Sequence, residues 1–219
     1  LAGDIPSAAL VVADLGSAPG CRAAVDEARG ALGGIDLLVH LAGEGSFRWF
    51  TEGADETIER LLRTNCASAM WLAKALLPEM TARGSGQLVF CGSVLGALAL
   101  PGYTAYAASK FALRGFTEGL RRELAGSGVG VTLVAPRAVR TALNPPQVYE
   151  MAQATKMAVD PPEVVAEAIF EAIRRDAREV VLGGMEPWVV RLNALWPGLL
   201  DRLLRKQTEV VRRFARRVP

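Results

Sequence analysis

Short, nearly continuous apolar runs alternate along this chain with longer stretches of helical periodicity, and this alternation constrains the fold more than any other feature. Ala8–Ala13 (AALVVA), Asp36–His40 (DLLVH), Gly86–Cys91 (GQLVFC), Gly130–Val134 (GVTLV) and Glu179–Leu182 (EVVL) read as strands. Between them, Arg22–Leu32, a long stretch from about Asp55 to Ala82, Tyr106–Ala125 and Pro162–Arg174 read as helices. A strand that stays apolar without alternating is expected where both of its faces are covered. The βαβα order therefore predicts an α/β fold: a doubly wound, Rossmann-like parallel sheet with helices on both faces. The 219 residues fit one such domain, spanning residues 1–185. Residues 186–219 differ. They hold eight basic residues (Arg191, Arg202, Arg205, Lys206, Arg212, Arg213, Arg216, Arg217) against three acidic ones, a local net charge of +5. Their apolar residues recur at helical spacing, which predicts a basic amphipathic helix.

Several function classes are excluded. Lys+Arg number 25 against 23 Asp+Glu, so overall charge gives no reason to expect a nucleic-acid partner. Cys21, Cys66 and Cys91 are far apart and lack metal or redox spacing; they read as reduced thiols of a cytoplasmic protein, with no metal site. The single histidine, His40, rules out a zinc site with two histidines, and at the end of an apolar run it reads as a partly buried strand-end residue rather than a catalytic base. The first residues lack the basic start of a signal peptide, and no run reaches the ~18 apolar residues that span a bilayer.

The chemistry concentrates in the segment GSVLGALALPGYTAYAASK. Tyr106 and Lys110, four apart at a helix start, share a face. An ammonium beside a phenol favours phenolate and draws its pKa toward neutrality. Ser93 follows a strand, where active-site groups of parallel sheets gather, and its hydroxyl can hold a substrate oxygen.

With Tyr106-Ala-Ala-Ser-Lys110, Ser93, Asn65, Asp14, Ala42-Gly43, Pro136 and Thr141 all in order, the chain resembles the short-chain dehydrogenase/reductase family from about residue 8 to 183. The resemblance implies an NAD(P)-dependent oxidoreductase interconverting a carbonyl and an alcohol. It makes Tyr106 the general acid/base, Lys110 the ribose-binding residue and Ser93 the group orienting the carbonyl. Asn65 would hold a water linking Lys110 to solvent. Asp14 and Leu15 would meet the adenine side, and Ala42 and Gly43 would pack beside the adenosine ribose. Thr141 would meet the cofactor phosphate or carboxamide region, with Pro136 and Val139 also binding cofactor. The cofactor is NAD(P)(H), with NADP(H) slightly favoured although no residue here reads the choice.

Two motifs depart from the family. Asn-Asn-Ala-Gly is replaced by His40-Leu41-Ala42-Gly43, and Pro-Gly after the fourth strand by Pro136-Arg137. Arg137 either narrows the approach to the nicotinamide or offers its charge to the pyrophosphate or an acidic substrate. The family's opening strand-helix-strand unit, with its Gly-rich phosphate turn, is missing. In the family's strand order AALVVA would then lack neighbours, so the chain reads as a truncated form of a longer protein.

Three further expectations follow. Gly45–Phe50, Val94–Tyr103 and Ala142–Val159 supply Phe47, Trp49, Phe50, Leu95, Leu98, Tyr149, Met151 and Met157. They predict a pocket for a lipophilic substrate, with residues 142–160 as a mobile lid. Apolar surface on the two long helices predicts a homodimer or homotetramer. The basic tail admits peripheral membrane contact. The rival to an enzyme is a non-catalytic dinucleotide-fold sensor or scaffold.

Overall fold

The computed structural model describes residues 8–217. Four parallel strands form one sheet in the order β1 (Leu37–His40), β2 (Gly86–Cys91), β3 (Val129–Ala135), β4 (Glu179–Val181). Leu37 lies opposite Gln87, Gln87 opposite Gly130, and Leu133 opposite Glu179. Parallel neighbours need crossover connections, and helices supply them. α1 (Ala18–Leu32) precedes β1; the crossovers are α2 (Asp55–Leu62) with α3 (Ser68–Arg83), α4 (Thr104–Glu123), and α5 (Pro146–Thr155) with α6 (Pro162–Arg174); α7 (Glu186–Leu195) and α8 (Pro197–Ala215) follow β4.

Alternation within the strands sorts the core. Leu88, Phe90, Val131 and Leu133 pack on one side of the sheet against Cys21 and Val25 of α1, Leu76 and Met80 of α3, and Leu113 of α4. Val89 and Val134 point to the other side, where Val165, Ile169 and Ala172 of α6 cover them. Helices thus cover both faces, as the apolar strands predict. Each fully buried side chain of this size contributes roughly 1.5–3 kcal/mol.

Four expectations change. Ala8–Ala13 forms no strand, and Leu10 and Val12 are 75% and 87% exposed. A strand is held by a neighbour's backbone groups, and none of the described strands lies beside this segment. The long helix from Asp55 is interrupted by a π-helical turn, Arg63–Ala67, between α2 and α3. The presumptive lid carries a helix, α5, started by Pro146 and ended by Lys156 at φ 56°. Its Val148, Met151 and Ala152 are buried, and the first two pack with Val211 and Ala215 of α8. The basic tail is two helices, because Pro197 lacks the N–H that would continue α7.

Candidate active site

β2 ends at Cys91, and Ser93 follows in extended backbone at the carboxyl edge of the sheet. Tyr106 and Lys110 occupy the first two turns of α4, which starts beside that edge. The Ser93 hydroxyl lies near enough to the Tyr106 phenol to favour its ionised form. Ser93 Oγ also accepts the Leu95 N–H at 3.1 Å. Lys110 is buried, donates from Nζ to the Cys91 carbonyl at 2.9 Å, and sits 5.9 Å from the Tyr106 ring centroid. The three residues predicted from spacing therefore converge.

The electrostatics differ from expectation. Burial pushes the Tyr106 phenol up to about 12, with the nearby Ser93 hydroxyl pulling the other way. Burial also lowers Lys110. The ammonium lies over the ring face and is tied to a carbonyl, so desolvation outweighs the attraction expected to draw the phenol toward neutrality.

Asn65 lies inside the π turn and is fully buried. Its Oδ1 accepts the Glu44 N–H at 2.7 Å, and its Nδ2 donates to the Glu44 carbonyl at 3.0 Å and to Ser109 Oγ at 2.9 Å. Ser109 Oγ donates to the Tyr106 carbonyl at 2.7 Å. Both amide hydrogens are thus engaged in protein contacts, and the side chain clamps the segment after β1 to the start of α4. The sequence reading missed Glu44 and Ser109 as site residues. Ser109 was open to inference, since a serine three residues after Tyr106 is within reach of that carbonyl; nothing local marked Glu44.

Gly43 stands against the same cluster. A Cβ there would lie 3.2 Å from Asn65 Oδ1 and 3.5 Å from Lys110 Nζ. His40 is buried behind it. Ser68 Oγ donates to the Thr64 carbonyl at 2.6 Å, so its lone pair is left to accept from His40 Nε2 at 2.7 Å. Nδ1 is buried without a partner. Burial, then the Lys110 charge, lowers His40 to about 4.

The expected cofactor residues occupy several places. Ala42 and Gly43 follow β1, half-buried. Pro136 is buried after β3, its carbonyl accepting the Val94 N–H at 2.9 Å. Val139 forms a single bridge with Asp160. Thr141 is exposed and exchanges backbone hydrogen bonds with Tyr149 Oη. Asp14 is exposed and accepts the Gly16 N–H at 2.9 Å; Leu15 packs on the core beneath α1. Asp14, Gly16, Glu44, Arg60 and Thr64 line an open cleft of about 400 Å³. The absent side chain of Gly43, beside Asn65 and Lys110, leaves room for close approach of a cofactor ribose. Among the described residues no Gly-rich turn forms a pyrophosphate cradle.

Arg137 resolves into neither of its alternatives. It grips Asp160 through two bonds of 2.9 and 2.7 Å and reaches Glu186 at 3.1 Å. Its charge ties the segment after β3 to the first turn of α7.

Beside Tyr106, Phe47 and Tyr103 stack at 4.7 Å, and Leu95, Leu100, Val148, Met151, Met157, Val211 and Phe214 complete an apolar cluster. Other expected pocket residues go elsewhere. Leu98 packs toward α7 and α8, Trp49 lies under the Arg212 guanidinium at 4.6 Å, and Phe50 is 56% exposed.

A family model described as short chain dehydrogenase matches residues 3–151. The chain is 33% identical over 189 residues to dehydrogenase/reductase SDR family member 7B of Danio rerio, covering 80% of this chain and 60% of that protein. It is 37% identical over 133 residues to 2,3-dihydroxy-2,3-dihydro-p-cumate dehydrogenase of Pseudomonas putida, covering 61% and 51%. The crystal structure of a short-chain dehydrogenase from Streptomyces avermitilis superposes with a TM-score of 0.71 at 28% identity, covering 91% of this chain and 77% of that one. The chain thus spans about 60% of the length of the first of these relatives.

Proposed function

This chain belongs to the short chain dehydrogenase family, and from that premise we propose that it carries the catalytic groups of an NAD(P)-dependent oxidoreductase interconverting a carbonyl and an alcohol. The observation that carries this reading is the convergence of Ser93, at the carboxyl end of β2, with Tyr106 and Lys110 at the start of α4, the Lys110 ammonium 5.9 Å from the Tyr106 ring. NAD(P)(H), when bound, supplies or accepts the hydride, which no side chain can. Lys110 would hold its nicotinamide ribose, Thr141 its phosphate or carboxamide region, and Ala42 and Gly43 its adenosine ribose, with Pro136 and Val139 beside it and Asp14 and Leu15 on the adenine side. Ser93 holds the substrate oxygen. A phenol held near 12 stays protonated at neutral pH and can give its proton to the oxygen of a carbonyl being reduced. Asn65 and Ser109 fix the backbone around Tyr106 and so orient it.

The apolar cluster around Phe47, Tyr103 and Met151 favours a lipophilic substrate. Met70 of α3 and Phe111 of α4, 38% and 42% exposed, favour a homo-oligomer built on these helices. Three free thiols fit a reducing compartment such as the cytoplasm. The absence of a Gly-rich turn among the described residues favours the rival, a non-catalytic dinucleotide-fold sensor. Tyr106→Phe in the full-length protein separates the two. Turnover should fall about 10²–10⁴-fold while cofactor still binds, since only the transferable proton is removed. Turnover equal to wild type would refute the role of Tyr106, and a wild-type protein inert toward a panel of carbonyls and alcohols would favour the sensor.

A further inference from the structure

The α7–α8 pair supplies none of the site's hydrogen bonds, yet its outer surface is unusual. Met185, Trp188, Leu195, Trp196, Leu199 and Leu203 are 46–70% exposed, and these are six of the eighteen large apolar side chains exposed among the described residues. They fall within nineteen consecutive residues, and two of the chain's four tryptophans are among them. Such a concentration is unlike the single apolar residues scattered over ordinary surfaces. The patch follows β4, at the opposite edge of the sheet from β1, so it is not the apolar edge that β1 leaves open.

The same surface is basic. Arg202, Arg205, Lys206 and Arg213 are exposed on α8 and take part in none of its ion pairs, which run from Arg212, Arg216 and Arg217 to Glu209, Glu52 and Glu150. Helical spacing puts Leu199, Leu203, Lys206 and Arg213 on one side of α8. Leu200, Leu204, Val211 and Ala215 lie on the other and pack inward. The Arg191 guanidinium lies 5.1 Å from the Trp188 ring, which adds a further cation to the tryptophan face of α7. Asp201 is the one carboxylate in the first two turns of α8.

We propose that the outer face of α7–α8 docks on an anionic lipid bilayer. Trp188, Trp196, Leu199 and Leu203 would enter the head-group layer, where amphipathic aromatic rings settle. Arg202, Lys206 and Arg213 would meet the lipid phosphates. Charge selects this occupant over a second copy: two such faces apposed would bring unpaired cations together.

The test uses the full-length protein with vesicles of phosphatidylcholine alone or mixed with phosphatidylserine. It should co-sediment with the mixed vesicles only, release at high salt, and show blue-shifted tryptophan emission when bound. The double variant Arg202→Glu, Lys206→Glu should weaken binding about tenfold or more. Trp196→Ala, whose side chain is exposed, should weaken it at unchanged urea midpoint. Comparing variants with wild type isolates this face from any other membrane contact of the longer protein. Absent vesicle binding, equal binding to neutral vesicles, or charge-reversed protein that binds like wild type would each overturn the proposal. So would a lipid-independent dimer that Trp188→Glu dissociates, which would give the face to a second copy. None of these readouts depends on turnover, so the proposal can fail while the enzymatic reading stands.

Discussion

At position 40, where the family has asparagine, a histidine is 3% exposed with one ring nitrogen unpartnered and its pKa lowered to about 4. In the unfolded chain the same ring titrates near 6.5. Between these values the unfolded state binds a proton that the folded state refuses, so stability falls as pH drops from about 6.5 toward 4. The full shift corresponds to about 3 kcal/mol. Urea unfolding between pH 7.5 and 4.5 should show this acid limb, and His40→Asn should flatten it, whatever the variant's stability at neutral pH. A variant that loses as much stability as wild type over that interval would rule out His40 as the cause. The residue scale also shows why the grouping of Ser93, Tyr106 and Lys110 was legible. Tyr106 and Lys110 are joined by helix periodicity and Ser93 by its place after a strand, and neither relation needs tertiary information. Glu44 reaches Asn65 across 21 positions, and no local pattern encodes that approach.

The elements that depart most from expectation are those whose partners are remote in sequence. Residues 142–160 read as a lid because prolines bracket a run rich in methionine and alanine. In the structure Met151 is 2% exposed, wedged with Val148 among Phe47, Tyr103, Val211 and Ala215. Arg217 adds an ion pair to Glu150 at 2.9 Å. A side chain held this way is part of the cooperative fold. Met151→Ala should therefore cost about 2–4 kcal/mol in urea unfolding. An unchanged midpoint would mean that α5 opens independently of the domain and would restore the lid. The π turn at Arg63–Ala67 belongs to the same class of surprise. Apolar periodicity continues through it, so the sequence reads as one helix, while the structure places Asn65 at the irregular turn, facing Glu44 and Ser109.

For the whole molecule, the sheet and its two helical layers leave little apolar surface on α3 and α4. Leu72 and Leu120 are 7% and 8% exposed and belong to the core, and Phe116 packs on Phe90 at 5.6 Å. Met70 and Phe111 remain as the outward pair. If they seed an interface, light scattering at micromolar concentration should give a dimer or tetramer, and Phe111→Glu should shift it toward monomer. Monomer alone in the wild type would leave the exposure of these two residues without an assembly role. No helix among the described residues is long and apolar enough to cross a membrane.

The sequence by itself determined the parallel α/β architecture, because two-sided burial writes itself into unbroken apolar strands. It also determined the Ser93–Tyr106–Lys110 constellation, because helix geometry converts a spacing of four into one face. Only the tertiary structure decided the rest. It drew Arg137 onto Asp160 and Glu186, where sequence left a narrowed nicotinamide approach or a charge for the pyrophosphate or an acidic substrate as alternatives. It placed the Lys110 ammonium over the ring of Tyr106 and on the Cys91 carbonyl, so that burial outweighs the attraction of opposite charges. It turned one face of α8 inward over α5 and the other toward solvent. The physical reason is common to all three. Periodicity fixes which side of an element a residue occupies, but charge pairing and desolvation depend on what other elements bring within a few ångströms, and that distance is set only when the chain packs.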